Sequence, residues 1–309
     1  MKELYDLWFA SLDIKNHTKL ELLNKYETKE IWELEFSNLV DFKMEEKEIY
    51  QILSSKNLEE AKRNLEYMKK KKIELFSINS EEYPKKLHQI ENKPAFLYVR
   101  GNHEILDGDN VGIVGCRMAT NNGKTLARVI AKALANRNIN IISGLALGID
   151  KYAHLGALDS EIGKTVAVLG SSVADEEIYP FQNAKVFERI LEKGGAIVSE
   201  YGFGSRPEKQ HFPARNRIIS GLSDKVIIVE AKERSGSLIT ANWALEQGKD
   251  VFAVPGNIFV KNSVGTNNLI KEGAFLLSNR IFFGNNHRKM LIKNFFWYIM
   301  QSISKSRGG

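Results

Sequence analysis

Residues 110–150 read NVGIVGCRMATNNGKTLARVIAKALANRNINIISGLALGID, and this stretch decides the fold. An apolar run at 111–114, a helical repeat over 124–136 and a second apolar run at 139–143 follow one another. The same order continues to residue 254, with predicted strands at 165–169, 196–199, 226–229 and 251–254 and predicted helices at 149–158, 182–193, 214–222 and 238–247. Apolar strands separated by amphipathic helices are typical of a parallel sheet covered on both faces. We therefore predict an α/β fold, an extended Rossmann-like, doubly wound parallel sheet.

The flanking segments differ from this core. Residues 1–72 contain neither glycine nor proline and carry apolar residues at helical spacing, which predicts a small all-helical domain. Short strands are expected at 73–78 and 96–99, so the predicted domains are 1–72, 73–284 and a short basic amphipathic tail at 285–309. We expect the tail to pack on the body or on a second subunit, the alternative being a membrane-surface helix.

Composition limits the function classes. The chain has 309 residues, a net charge of +6 and one cysteine, Cys116, which excludes an internal disulfide framework. No signal peptide is recognisable, and no uncharged apolar run reaches the roughly 18 residues of a spanning helix, so we expect a cytoplasmic protein. Residues 281–309 carry five basic and no acidic residues, so most of the net positive charge lies in the tail. An anion site in the core must therefore be a local cluster of basic residues.

Two glycine-bearing loops follow predicted strands and open helices. In the first, Gly115 and Arg117 precede Gly123-Lys124-Thr125, but Met118 stands where a Walker motif needs glycine, so ATP hydrolysis is not supported. Amides at this helix N-terminus, with Arg117, would form a generic phosphate site.

In the second, Gly144 and Gly148 permit close backbone approach. Asp150 is expected to cap the next helix. His154 could pair with Asp150, but without a nucleophile this pair does not predict catalysis.

A third helix entrance offers further groups to an anion, the amides and hydroxyls of Ser235, Gly236 and Ser237. The segment 209–222 adds Lys209, Phe212, Arg215 and Arg217. A ring that stacks on a base beside cations that pair with phosphate is the chemistry of single-stranded nucleic-acid binding. In isolation, the same segment could equally be a helix that buries its apolar face and exposes its arginines.

Acidic and metal-binding residues do not suggest catalysis. Glu200 and Glu230 read as isolated acids at strand ends, and no metal-ligand cluster or activated nucleophile is visible. The sequence therefore predicts a site that holds a phosphorylated ligand, with no metal and no cofactor.

Four motifs in register resemble the DprA/Smf family of bacterial DNA-processing proteins. They are ISGLALGID at 142–150, followed by Ala153-His154; FPARNRIISGL at 212–222; SGSLITA at 235–241, preceded by Glu230-Ala231; and VPGN at 254–257. The resemblance spans roughly residues 75–280, and the N-terminal segment is similar to that family's sterile-alpha-motif-like domain. It implies a homodimer that binds single-stranded DNA and delivers it to the RecA recombinase during natural transformation, without enzymatic turnover. It also implies that Arg117, Lys209 and Phe212 contact DNA.

Some alternatives stay open. Many family members continue into a winged-helix domain, for which the roughly 25 residues after the core are too few. A nucleotide phosphoribohydrolase is a second interpretation, although its Pro-Gly-Gly-x-Gly-Thr loop is absent at Pro255-Gly256-Asn257. A nucleotide-sensing module is a third, but it has no need of a stacking ring.

Overall fold

The N-terminal segment is helical, as its pattern predicts. The computed structural model describes residues 1–42, 44–205 and 207–277, so the predicted tail at 285–309 lies outside the described residues. The helices are α1 (Lys2–Ser11), α2 (Asn16–Leu23), α3 (Thr28–Glu33), α4 (Phe36–Val40), α5 (Glu46–Ser54) and α6 (Glu59–Lys71). Phe9 is fully buried, and its ring packs edge-on against Phe96 of the following segment at 5.9 Å between centroids. The two segments share one apolar core, and the division at residue 72 stays a prediction.

Nine strands within the described residues form one mixed, mostly parallel sheet. They are β1 (Ile73–Ser77), β2 (Phe96–Gly101), β3 (Asn110–Val114), β4 (Asn140–Ser143), β5 (Thr165–Val168), β6 (Ala196–Ser199), β7 (Lys225–Ile228), β8 (Asp250–Ala253) and β9 (Phe275–Leu276). Their order across the sheet is β1-β2-β6-β5-β4-β3-β7-β8-β9. The strands from β3 to β9 pair in parallel wherever they are neighbours. Every residue of β3, β4, β5 and β6 is buried, which is why these strands lack polar alternation.

Helices cover both sides of the sheet, which confirms the predicted doubly wound fold. They are α7 (Lys85–His88), α8 (Asn121–Ala135), α9 (Ile149–Leu158), α10 (Ala184–Glu192), α11 (His211–Leu222), α12 (Gly236–Glu246) and α13 (Val264–Lys271). Short 3-10 turns lie at His103–Asp107, Asp175–Glu177, Phe181–Asn183 and Lys261–Ser263.

The edges of the sheet differ from a purely parallel arrangement. β1 pairs antiparallel with β2, and β2 pairs antiparallel with β6, so the two early strands extend the sheet beyond its parallel part. β9 has two residues and was not expected from the sequence. Such a short strand forms because β8 offers it backbone hydrogen-bond partners. The local sequence does not indicate this pairing.

The chain reverses its direction of travel across the sheet at β3. From β3 it winds outward through β4 and β5 to β6, and then returns to the other side of β3 through β7 and β8. In open α/β sheets, ligands bind at the carboxyl ends of the strands where this reversal occurs. The loops after β3 and β7 therefore mark where a site is expected.

Candidate functional site

A pocket of about 530 Å³ lies at this reversal point. Eight of the eleven residues predicted for the site line it: Gly115, Arg117, Lys209, Phe212, Arg215, Ser235, Gly236 and Ser237. Gly144 lines a smaller adjoining cavity with Arg117, Phe212 and Arg215. The structure thus brings together loops separated by more than a hundred residues, because β3, β4 and β7 end at one edge of the sheet.

The ring of Phe212 stands at the centre of this arrangement. The Arg117 guanidinium carbon lies 4.9 Å from the ring centroid, a cation-π distance, and the Tyr179 ring lies at 5.6 Å with a 47° tilt. Gly170 leaves room for the ring, since a Cβ added there would lie 3.1 Å from a Phe212 ring carbon. Phe212 is half-buried, so its position is fixed while part of the ring stays open to a ligand.

Two cations at the pocket have no acidic partner among the described residues. Arg117 and Lys209 are exposed, and neither forms an ion pair with any residue in the described part of the chain. An arginine and a lysine without internal counter-ions are available to phosphate groups. Both positive charges line the same pocket as the Phe212 ring, and Arg117 lies over that ring.

The N-terminus of α12 opens onto the pocket. Ser235 caps the helix: its hydroxyl accepts from the Ser237 amide at 3.4 Å and lies 2.8 Å from the Ser237 hydroxyl. A Cβ added at Gly236 would meet no atom within 4 Å. A negatively charged group could therefore approach this helix end without displacing protein atoms.

The N-terminus of α8 is not open in this way, which corrects the phosphate site expected there. The Glu230 carboxylate accepts hydrogen bonds from the Thr120 amide at 2.9 Å, from the Thr120 hydroxyl and from the Asn262 side chain at 3.1 Å. A Cβ on Gly123 would fall 2.3 Å from the same carboxyl group. Glu230 is therefore not an isolated acid, because it supplies the anion that this helix end attracts.

Asp150 occupies the second amide-rich loop in a similar manner. Its carboxylate accepts from the Gly144 amide at 3.1 Å and from the amides of Gly115 and Ala146. Burial raises the pKa of Asp150, while the charge of Arg215 and the amide hydrogen bonds act in the opposite direction. The glycine loops after β3 and β4 are thus tied together by an internal carboxylate.

Arg215 lines the pocket but is only 4% exposed. Its guanidinium donates to the carbonyl of Gly144 at 2.7 Å and to that of Val168, so it joins α11 to the ends of β4 and β5. Burial lowers the pKa of Arg215 to about 10, and the nearby Asp150 charge opposes that shift. Its predicted contact with DNA stays a prediction.

Arg217 does not lie in the pocket. It is 4% exposed, and its two terminal nitrogens each donate at 2.6 Å to one carboxylate oxygen of Glu200. Burial lowers the pKa of Arg217, but attraction to Glu200 outweighs this and holds the pKa above its ordinary value. Its Nε also donates to the Asn92 carbonyl at 2.5 Å and Nη1 to the Ala214 carbonyl at 2.9 Å, so four of its five N–H donors already have partners within the protein. These bonds give Arg217 a structural role, and its predicted contact with DNA stays a prediction. Glu200, read as isolated, is its partner.

Gly148 also lies outside the pocket, and its role is in the backbone. Its φ is +78°, and an added Cβ would lie 2.2 Å from the carbonyl oxygen of Cys116. The residue therefore lets α9 begin directly against the loop that carries Arg117.

Within 1–42, 44–205 and 207–277, no group of three or more His, Cys, Asp or Glu side chains is arranged to hold a metal ion. Over the same ranges, no helix is long and apolar enough to cross a membrane.

Comparison with known proteins assigns the chain to a family. The profile of the family described as DNA recombination-mediator protein A matches residues 74–283, about two thirds of the sequence. The chain belongs to this family. That result confirms the family resemblance derived from the four motifs.

Individual members of the DNA recombination-mediator protein A family are similar over different lengths. The DNA processing protein DprA of Streptococcus pneumoniae is 43% identical over 67% of this chain and 72% of its own length. Protein Smf of Escherichia coli is 44% identical over 66% of this chain, but the match spans only 54% of that protein. Features of the complete relatives are therefore carried to this chain only as proposals.

Solved structures of the family share the fold. DprA from Streptococcus pneumoniae superposes with a TM-score of 0.76 at 36% identity, covering 89% of this chain and 94% of that one. DNA processing protein A from Helicobacter pylori gives a TM-score of 0.60 at 32% identity, covering 74% and 97%. The Helicobacter pylori protein is described as having a unique single-stranded DNA binding mode.

Tyr179 was not expected at the pocket from the sequence. It lines the pocket and contacts Phe212, and 44% of it is exposed. The only local signal is an aromatic residue before Pro180 in the segment after β5, and the peptide between them is cis. Tyr179 and Phe212 are far apart in the sequence, so no local pattern indicates their contact.

Proposed function

We propose that the pocket binds single-stranded DNA, with a base against Phe212 and backbone phosphates on Arg117 and Lys209. The observation that carries this proposal is one pocket that combines a half-buried ring with two cations that have no acidic partner among the described residues. Rings and cations together bind single strands, because every base has a face that stacks and every nucleotide has a phosphate. The single-stranded DNA binding described for the Helicobacter pylori relative supports it.

The pocket favours an extended strand over a free nucleotide. The Glu230 carboxylate occupies the N-terminus of α8, and the Asp150 carboxylate binds the amides of the loops after β3 and β4, so neither place offers an enclosed cradle for a polyphosphate. The α12 entrance at Ser235–Ser237 remains and can hold one phosphate. A strand needs only single phosphates at intervals, with its bases stacked between them.

We further propose that the chain acts without turnover. Asp150 is the one carboxylate among the described residues that line the pocket, and its oxygens already accept from backbone amides. A phosphoribohydrolase needs a carboxylate free to act on the sugar or on water. Release of free base from AMP or dAMP by the purified chain, lost in Asp150→Asn, would overturn this part of the proposal.

Fluorescence anisotropy with labelled oligo-dT and a matched duplex, at two salt concentrations, tests the binding proposal. Stacking contributes about 1–3 kcal/mol per base, so Phe212→Ala should weaken single-strand binding by roughly five- to 150-fold. Arg117→Ala should weaken it and reduce the salt slope by about 0.7, the value for one phosphate contact on a single strand.

Matched controls separate the pocket from the general surface. Tyr50→Ala removes an exposed ring from α5, and Arg63→Ala removes an exposed arginine from α6. Both should bind as the unaltered protein does. Unchanged affinity in both Phe212→Ala and Arg117→Ala, with folding verified by thermal melting, would refute the proposed site.

The finer role follows from the family resemblance. We propose a cytoplasmic homodimer that delivers single-stranded DNA to the RecA recombinase during natural transformation. The rate of RecA filament formation on labelled single strands, with and without the chain, tests delivery, and light scattering gives the particle mass. Acceleration by the unaltered chain but not by Phe212→Ala is expected. No acceleration despite tight DNA binding would leave a DNA-binding protein without a loading role.

A further inference from the structure

A tight turn after β8 presents apolar side chains to solvent. The Val260 amide donates to the Asn257 carbonyl at 3.0 Å, and the Phe259 amide donates to the Asn257 side chain at 2.9 Å. The two central residues, Ile258 and Phe259, are 77% and 89% exposed. Glycine, proline, asparagine and aspartate favour such positions because they suit the backbone, so the turn itself does not account for isoleucine and phenylalanine here.

The turn is fastened to the loop that carries Arg117. Asn262 donates to the Met118 carbonyl at 2.9 Å, and its own carbonyl accepts from the Ala231 amide at 2.8 Å. The Met118 side chain is 80% exposed. The loops after β3, β7 and β8 therefore form one connected rim, with apolar side chains exposed on two of them.

Positive charge accompanies these apolar side chains. Lys232, Arg234 and Lys261 are exposed on the loop after β7 and on the turn, and none has an ion-pair partner within the portion of the chain that the structure describes. Glu233 is the one exposed acid on these two loops. Apolar side chains can contact bases while the cations around them contact phosphates, so this surface suits a nucleic acid better than an apolar protein surface.

We propose that Phe259, with Ile258 and Met118 beside it, is a second base-contact surface for the same DNA strand. A base of the strand that leaves the Phe212 pocket stacks on Phe259, and Lys232, Arg234 and Lys261 contact neighbouring phosphates. This inference rests on the proposed function and extends it, because it gives the strand a direction along the rim.

A length series of labelled oligo-dT, from 4 to about 20 nucleotides, tests it by anisotropy. Phe259→Ala should bind the shortest strands like the unaltered protein and the longest ones roughly five- to 150-fold more weakly, the loss of one stacked base. Phe212→Ala should weaken binding at every length. Phe36→Ala removes an exposed ring from α4 and is the matched control. It should change the affinity for neither short nor long strands.

The outcomes separate the two proposals. If Phe259→Ala binds strands of every length as tightly as the unaltered chain does, while Phe212→Ala binds more weakly, the second surface is overturned and the pocket proposal stands. No loss in Phe212→Ala removes the pocket, and the second surface with it. A lower particle mass of Phe259→Ala by light scattering would show that the turn contacts a second copy of the chain, which also overturns the inference.

Photo-crosslinking gives an independent readout. A single 5-iododeoxyuridine moved stepwise along a 20-nucleotide strand should crosslink to the peptide containing Phe259 from one group of positions and to that containing Phe212 from another. Crosslinks to the Phe212 peptide alone, from every position, would overturn the second surface.

Discussion

Because His154 is buried, we predict that the protein loses stability in mild acid. The ring is fully buried, with Nδ1 2.8 Å from the Thr165 hydroxyl and Nε2 accepting from the Leu145 amide at 3.3 Å. Since the Thr165 hydroxyl donates its proton to the Ile141 carbonyl at 2.5 Å, Nδ1 of His154 must donate to Thr165. The ring is therefore neutral, and a second proton on Nε2 would face the amide that now donates to it.

The magnitude follows from the pKa difference between the folded and unfolded states. Burial, with a contribution from the charge of Arg215, lowers the pKa of His154 to about 3, against 6.5 for an ordinary histidine. Between these values the unfolded chain binds one more proton than the folded chain, so the free energy of unfolding falls as the pH falls. One pKa unit corresponds to about 1.4 kcal/mol, and integrating the difference in bound protons gives a loss of about 2 kcal/mol between pH 7.5 and pH 5.

Urea denaturation at pH 7.5, 6.5, 5.5 and 5.0 measures this loss, and the comparison is with His154→Gln. The variant is less stable at neutral pH but should lack the corresponding pH dependence in this window. His17→Gln, a change at an exposed histidine, should keep it. Parallel pH profiles for the unaltered chain and His154→Gln would refute the reasoning. Should that variant not fold, NMR titration of the unaltered protein should show one imidazole that stays neutral down to about pH 4.

Three further predictions concern the site and its support. Gly148→Ala should lose roughly 2 kcal/mol or more of unfolding free energy in urea denaturation, because its Cβ would meet the Cys116 carbonyl at positive φ, whereas Gly236→Ala should lose little. Glu200→Gln should cost about 3–5 kcal/mol by leaving Arg217 charged and buried, and a stability equal to that of the unaltered chain would contradict the structural role of the pair. Lys209→Ala should lower the salt slope of single-strand binding by about 0.7, while an unchanged slope would mean that Lys209 contacts no phosphate.

The parallel core could be predicted from sequence because its elements are locally consistent. Helix α9 begins and ends where the pattern predicts, and the six core strands agree to within a residue or so. Helix α11 begins three residues earlier than expected, at His211, because Pro213 is tolerated in the first helical turn. The pairing of β2 with β6, which places β1 at the edge of the sheet, could not be predicted, since pairing between distant strands leaves no local pattern.

The sequence indicates which residue types form the site better than it indicates the role of each residue. Arg117 and Arg217 look alike in sequence, yet one is exposed beside the ring and the other is buried against Glu200. The loop after β3 carries Arg117 to the pocket, whereas the packing of α11 on the sheet turns Arg217 towards Glu200. Likewise, Glu230 and Asp150 read as an isolated acid and a helix cap, but their carboxylates bind amides 110 and 6 residues away in the chain.

These internal carboxylates explain how a fold suited to nucleotides could serve a polymer. Amide groups at a helix N-terminus or in a glycine loop attract whichever anion is nearest, and here the start of α8 and the loops after β3 and β4 already bind a carboxylate of the protein itself. A ligand then gains little from clustered phosphates and more from a ring, from spaced cations and from the open entrance at Ser235. Glu230→Gln tests this argument. It should weaken folding, since Thr120 and Asn262 lose a charged partner, and should raise the affinity for inorganic phosphate at the α8 entrance. Unchanged phosphate affinity in a folded variant would mean that the carboxylate does not exclude a competing ligand.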